Sequence, residues 1–125
     1  MTGLLLLALG AAVGAPSRWL LDRALSARWP GSFPWGTLAV NLLGSFILGV
    51  VLGTSSHVAS GPQLTLLLGT GFCGAFTTFS TFSFESVRLA EAGRTWYAVA
   101  NVLLSLLLGC LLALGGWSLG TLVSA

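Results

Sequence analysis

Between Gly69 and Phe84 the chain reads Gly-Thr-Gly-Phe-Cys-Gly-Ala-Phe-Thr-Thr-Phe-Ser-Thr-Phe-Ser-Phe. Five hydroxyl side chains lie between Thr77 and Ser83, and phenylalanines recur at Phe76, Phe79 and Phe82. Gly69, Gly71 and Gly74 loosen any helix formed here. The stretch lies within an apolar segment long enough to cross a bilayer. A segment that only anchored the chain in lipid would need none of these features. Unwound backbone survives at membrane depth only where protein or a water-filled path satisfies its polar groups. Broken helices of this kind are where membrane proteins handle ions.

Two chemistries fit such a break. Carbonyl oxygens released near Gly74–Thr77 suit a small hard cation. A helix restarting near Thr77 or Thr78 presents free N–H groups and a positive dipole end to an anion. Thr77 and Thr78 suit the N-cap of that second helix. Phe79 and Phe82, three apart, share one helix face. Aromatic ring edges are electropositive. They give a small anion weak contact without holding it, a balance that conduction requires. Phe76 and Phe84 read as plain packing.

Thr37, Asn41 and Ser45 recur every four residues and form a polar stripe on one helix face. Buried asparagine is costly unless bonded. The stripe is either interhelical glue, worth about 0.6 kcal/mol, or one wall of a polar path. In the second case the Asn41 NH₂ donates to an anion. Asn101 and Ser105, followed by Gly109, form a further stripe open to the same two readings. Gly10 and Gly14, beside Ala11 and Ala15, make a small-xxx-small pattern for close helix packing. Arg18, one turn on, either snorkels to the headgroups or lines an entrance vestibule.

Other chemistries are poorly supplied. Proton-coupled carriers need a buried carboxylate. No acidic residue falls in the first, second or fourth apolar span, and Glu85 ends the third. That counts against a four-helix small multidrug exporter, which relies on a first-span glutamate. His57 lies in a connection, and Cys73 and Cys110 lack a ligand cluster, so a metalloenzyme is unsupported. Asp22 is the single aspartate, and no Ser–His–Asp set can be assembled. Gly69-x-Gly71-x-x-Gly74 matches a dinucleotide fingerprint, but that motif needs a soluble βαβ unit around it. The chain does not read as an enzyme.

The elements that must position these residues follow from composition. Hydrophobic residues make up 55% of the 125 residues and charged residues 6%. Mean hydropathy is +0.95. A soluble domain is about a quarter charged, so lipid is the solvent. The length allows one domain, residues 1–125, with four spans. All charges fall in two clusters, Arg18–Arg28 and Glu85–Arg94. The spans are therefore Leu4–Leu21, Phe33–Thr54, Pro62–Phe84 and Thr95–Leu122. The connections are Asp22–Ser32, Ser55–Gly61 and Glu85–Arg94, marked by proline and glycine. No strand pattern competes. The predicted fold is an all-α membrane protein of four transmembrane helices, the third broken mid-membrane.

Every arginine lies near the first and third connections, which the positive-inside rule makes cytoplasmic, with both termini outside. Trp19, Trp29, Trp35 and Trp96 crowd that face and Trp117 marks the other, as an aromatic belt would. Leu4–Val13 resembles a signal-peptide core, but no basic residue precedes it, so it reads as a retained span. Cysteines in apolar spans argue against a secreted disulfide framework. The small net charge and the lack of a basic block argue against a nucleic-acid partner.

Several separated motifs, in order, carry a resemblance. They are Gly10-x-x-x-Gly14-Ala15-x-x-Arg18, Gly36-Thr37-Leu38-x-Val40-Asn41-x-x-Gly44, and Gly71-Phe72-Cys73-Gly74-Ala75-Phe76-Thr77-Thr78-Phe79-Ser80-Thr81-Phe82. Along nearly its whole length the chain resembles the Fluc fluoride channels, also called CrcB-type proteins. The resemblance implies passive, fluoride-selective export across the inner (plasma) membrane, and hence fluoride resistance. It implies antiparallel, dual-topology dimers of four-helix subunits with two pores. It implies a structural sodium ion at the dimer centre, held by backbone carbonyls of Gly74 and Thr77. Phe79 and Phe82 match the family's pore phenylalanines, and Asn41 its pore asparagine. Thr37, Ser80, Thr81 and Ser105 match its polar track, and Arg18 its vestibule arginine. The chain departs from the family at Trp19, where tyrosine is usual, and at Ala75, where a second glycine is common. Asn101 stands where a pore-lining tyrosine is often found. Some members pair two different subunits of fixed, opposite orientation, so the partner is either a second copy or a homologous subunit. A non-transporting membrane assembly protein, its glycines and Asn41 serving only to pack helices, is the competing class.

Overall fold

With so few charges, the chain has to satisfy its backbone polarity inside helices. A computed structural model describes residues 1–125, and every regular element in it is helical. The order is α1 (Thr2–Arg28), α2 (Trp35–Ser55), α3 (Gly61–Leu64), a π-helical stretch (Thr65–Cys73), α4 (Gly74–Phe76), α5 (Phe79–Glu91) and α6 (Thr95–Ser124). Four stretches are long and apolar enough to cross a membrane: Thr2–Arg28, Trp35–Ser55, Gly61–Glu91 and Thr95–Ser124. Only 22 of 125 residues are buried, and leucines, valines and tryptophans cover the outside. That surface suits lipid and not water.

The third span is interrupted as its sequence predicts. Thr77 (φ −82°, ψ 160°) and Thr78 (φ −145°, ψ 118°) are extended and separate α4 from α5. Ahead of the break the helix widens to π geometry over nine residues. Such stretches inside α-helices are rare and recur at functional sites.

The helix ends differ from the expected spans. α1 runs on to Arg28 and α5 to Glu91, so Asp22–Arg28 and Glu85–Glu91 are helical and not connecting chain. The fall in hydropathy marks the membrane surface, whereas the hydrogen-bonded ladder continues past it. Arg23 lies 5.0 Å from the Trp19 ring, one turn away on α1.

Glycines set how closely the helices approach. On α2, Gly49 and Gly53 face the backbone of Ala113 and Trp117; on α6, Gly116 and Gly120 face the carbonyls of Phe46 and Val50. A Cβ at any of the four would collide with those backbone atoms. α2 packs most extensively on α6, and α1 packs on the π stretch through Gly10 and Gly14. The small-xxx-small reading of Gly10 and Gly14 is therefore met. α5 leans on α6.

The two ends of the bundle are distinct. Phe33 and Tyr97 meet edge to face at 5.9 Å, which brings the first and third connections together. At the other end Thr65 Oγ1 donates to Ser55 Oγ at 3.0 Å. Trp19, Trp29, Trp35, Trp96 and Trp117 are all exposed.

Candidate functional site

The break is held by side chains that replace lost helical hydrogen bonds. Thr78 caps α5: its Oγ1 accepts from the Thr81 N–H at 3.2 Å and donates to Thr81 Oγ1 at 3.0 Å. Thr77 turns the other way, and its N–H and its hydroxyl both donate to the Cys73 carbonyl, at 3.0 and 2.9 Å. Of the two threonines expected to cap, Thr78 serves the second helix and Thr77 closes the first.

Asn41 sits across from this gap on α2. Its Oδ1 accepts from the Thr78 N–H at 2.8 Å and its Nδ2 donates to the Thr78 carbonyl at 3.0 Å. One amide thus pairs with both polar groups of a single residue, as a neighbouring strand would. In an unbroken helix the Thr78 N–H would bind the Gly74 carbonyl. Taking it away leaves that carbonyl without its helical partner. α2 comes this close because a Cβ at Gly44 would run into the Thr77 methyl group.

Two cavities meet at Thr78. The larger, about 380 Å³, is lined by Asn41, Ser45, Thr78, Phe79, Phe82 and Ser105, among others. The smaller, about 40 Å³, is lined by Arg18, Asp22, Thr37, Val40, Thr78 and Thr81. Thr78 lines both, and Asn41 is bonded to it from the larger side. The Phe79 and Phe82 rings lie 5.9 Å apart at 43°. Phe79 is 80% exposed, so the larger cavity is a groove open along one side of the chain.

Most of the residues singled out in sequence gather here. Asn41, Phe79, Phe82 and Ser105 line the groove, and Arg18, Thr37 and Thr81 line the smaller pocket. Ser80 does not: it is exposed and borders neither cavity, with its hydroxyl 3.5 Å from Thr78 Oγ1. Gly74 and Thr77 lie at the groove, and Gly74 is exposed, with nothing near its Cα side. Ser45 donates to the Asn41 carbonyl on its own helix at 2.8 Å. No group of three or more His, Cys, Asp or Glu side chains comes together.

Two neighbours of these residues, Glu85 and Ser86, were not read from sequence as their partners. The buried Thr37 hydroxyl donates to Glu85 Oε1 and ties α2 to α5. Ser86 Oγ donates to the Phe82 carbonyl at 2.8 Å and accepts from Asn101 Nδ2 at 2.9 Å. Ser86 lies four residues after Phe82, and that spacing was the available signal.

Residues 5–117 match the family described as CrcB-like protein, Camphor Resistance (CrcB). The chain is 48% identical to the fluoride-specific ion channel FluC 1 of Streptomyces avermitilis, covering 90% of each protein. It is 46% identical to a FluC 1 of Frankia casuarinae, over 90% of this chain and 97% of the relative. It is 49% identical to a FluC of Shewanella frigidimarina, over 86% of this chain and 87% of the relative.

Proposed function

The chain belongs to the CrcB-like family, and from that premise we propose that it conducts fluoride passively out of the cytoplasm. The family is one of channels and not of enzymes, and the chain is a multi-pass membrane protein of the plasma membrane. The observation that carries the fluoride reading is the Asn41–Thr78 pairing, set between a groove with two phenylalanines and a pocket that holds Arg18 and Asp22.

The chemistry suits a small, strongly hydrated anion. Arg18 lies beside Asp22 at the smaller pocket and supplies its positive charge, and Thr81 supplies a hydroxyl, the Thr37 hydrogen being committed to Glu85. The cap of α5 adds the positive end of a helix dipole. On the groove side the edges of Phe79 and Phe82 replace water without a fixed charge, and Ser105 is part of the same lining. Ser80 would join only from the exposed side of α5. Weak, repeated contacts let an ion leave as readily as it enters. No ATP is involved: acid-driven entry as HF and ionisation in the cytoplasm create the outward gradient.

The finer reading is a dimer. A groove open along one side, with Phe79 exposed inside it, calls for a second wall. A second chain in antiparallel, dual-topology arrangement supplies that wall and gives two pores. The second chain is a copy of this one or a homologous subunit inserted the opposite way. The carbonyl of the exposed Gly74, freed by Asn41, and the Thr77 carbonyl on extended backbone fit a structural sodium ion as hard oxygen donors. Two such chains would complete its coordination across the symmetry axis.

The test is fluoride efflux from potassium-loaded proteoliposomes holding this protein alone, started with valinomycin and read with a fluoride electrode. The expected result is rapid fluoride release with chloride retained. Release that appears only with a co-reconstituted homologue assigns the heterodimer. No release in either case removes the channel reading.

A further inference from the structure

Two buried side-chain atoms have no hydrogen-bond partner, Asn101 Oδ1 and Ser105 Oγ. Asn101 is fully buried, at 0% exposure. The two residues are four apart on α6, so they share a face and lie one turn from each other. The orientation of the Asn101 amide follows from its neighbour. Ser86 has one hydroxyl hydrogen and gives it to the Phe82 carbonyl, so Ser86 can only accept from Asn101. The NH₂ therefore faces Ser86, and the carbonyl oxygen faces away with no hydrogen-bond partner in the chain.

We propose that Asn101 and Ser105 hold one ordered water molecule at the edge of the groove. Buried polar atoms of native proteins are almost always satisfied, and internal water does this where at least two polar groups converge. Asn101 Oδ1 takes one hydrogen of the water, and the Ser105 hydroxyl meets its oxygen. The second hydrogen is left for the groove, which Ser105 also lines. On the fluoride reading above, on which this role rests, that hydrogen is one more donor for an anion beside Phe82. Asn101 thereby acts as a positioning residue, through water and not by contact.

The test has two parts. First, a structure of the protein in lipid nanodiscs, at a resolution that shows waters, should hold density within hydrogen-bond distance of both atoms. Ser105 bonded directly to Asn101 Oδ1, with no density between, overturns the site. Second, fluoride efflux is measured for Asn101→Leu, Ser105→Ala and the double variant. Each single change should slow efflux about tenfold, as loss of a bridging water does. The double variant should be no slower than the slower single one, because both remove the same water. Effects that multiply, or singles at wild-type speed, overturn the shared role. If Asn101→Leu fails to fold, Asn101→Ser takes its place in the cycle. A wild-type protein that passes no fluoride sinks the channel reading alone, since the density still decides the water site.

Discussion

Asn41 commits its amide to a single residue across the helix gap, and that geometry sharpens what a substitution would do. Aspartate can still accept from the Thr78 N–H, but it sets a carboxylate oxygen against the Thr78 carbonyl. It also places a negative charge between the two cavities. Asn41→Asp should lower fluoride efflux at least about tenfold, equivalent to roughly 1.4 kcal/mol on the barrier. Efflux at wild-type speed would remove Asn41 from the path. The stripe of Thr37, Asn41 and Ser45 was legible as one face, but the partner of each residue was not. Those partners depend on how α2 sits against the break, and spacing within one helix does not encode that. So Asn41 was read as helix glue or as a donor to an ion, and its bonds here go to the Thr78 backbone. Thr37 was read as pathway, while its hydroxyl goes to Glu85.

At the scale of elements, the break was readable because Gly74, the paired threonines and the hydroxyl run all depart from an ordinary span. The π stretch ahead of it was not, since Thr65–Cys73 looks like any apolar helix in composition. The helix ends were misplaced for a different reason: charges locate the membrane surface, and α1 and α5 run past it. The seam between α2 and α6 gives a clean test of packing. Gly116 and Gly120 carry the same four-residue spacing as Gly49 and Gly53, a signal left unread in the fourth span. Gly116→Ala would push a methyl group into the Phe46 carbonyl, whereas Gly115→Ala meets open space. Overpacking of this sort costs about 1–3 kcal/mol. Gly116→Ala should therefore melt several degrees below wild type in detergent, by circular dichroism. Gly115→Ala should melt at or above wild type, because alanine is the better helix former. Equal melting of the two would mean that the seam is not tightly packed.

As a whole molecule, one chain presents half of a structure: an open groove and an exposed Gly74 beside freed carbonyls. If sodium joins two such halves, its removal should act on assembly and transport together. Protein purified and reconstituted with a bulky organic cation in place of sodium should run as monomer on gel filtration. Its fluoride efflux should fall about tenfold or more, as expected when a bound ligand supports the assembled state, and sodium should restore both. An unchanged dimer with unchanged efflux would remove the sodium ion from the centre. The break also constrains how the chain is made. α5 has 13 residues, roughly 20 Å of helix at 1.5 Å per residue, and it carries Ser80, Thr81, Ser83, Glu85, Ser86 and Arg88. A segment so short and so polar does not hold itself in a bilayer. Its main support is α6, which follows it in the chain. The third span therefore waits, half inserted, for α6 to be made. A chain cut short before Thr95 would leave a polar helix stranded at the membrane surface, where the machinery that clears unfinished proteins can find it.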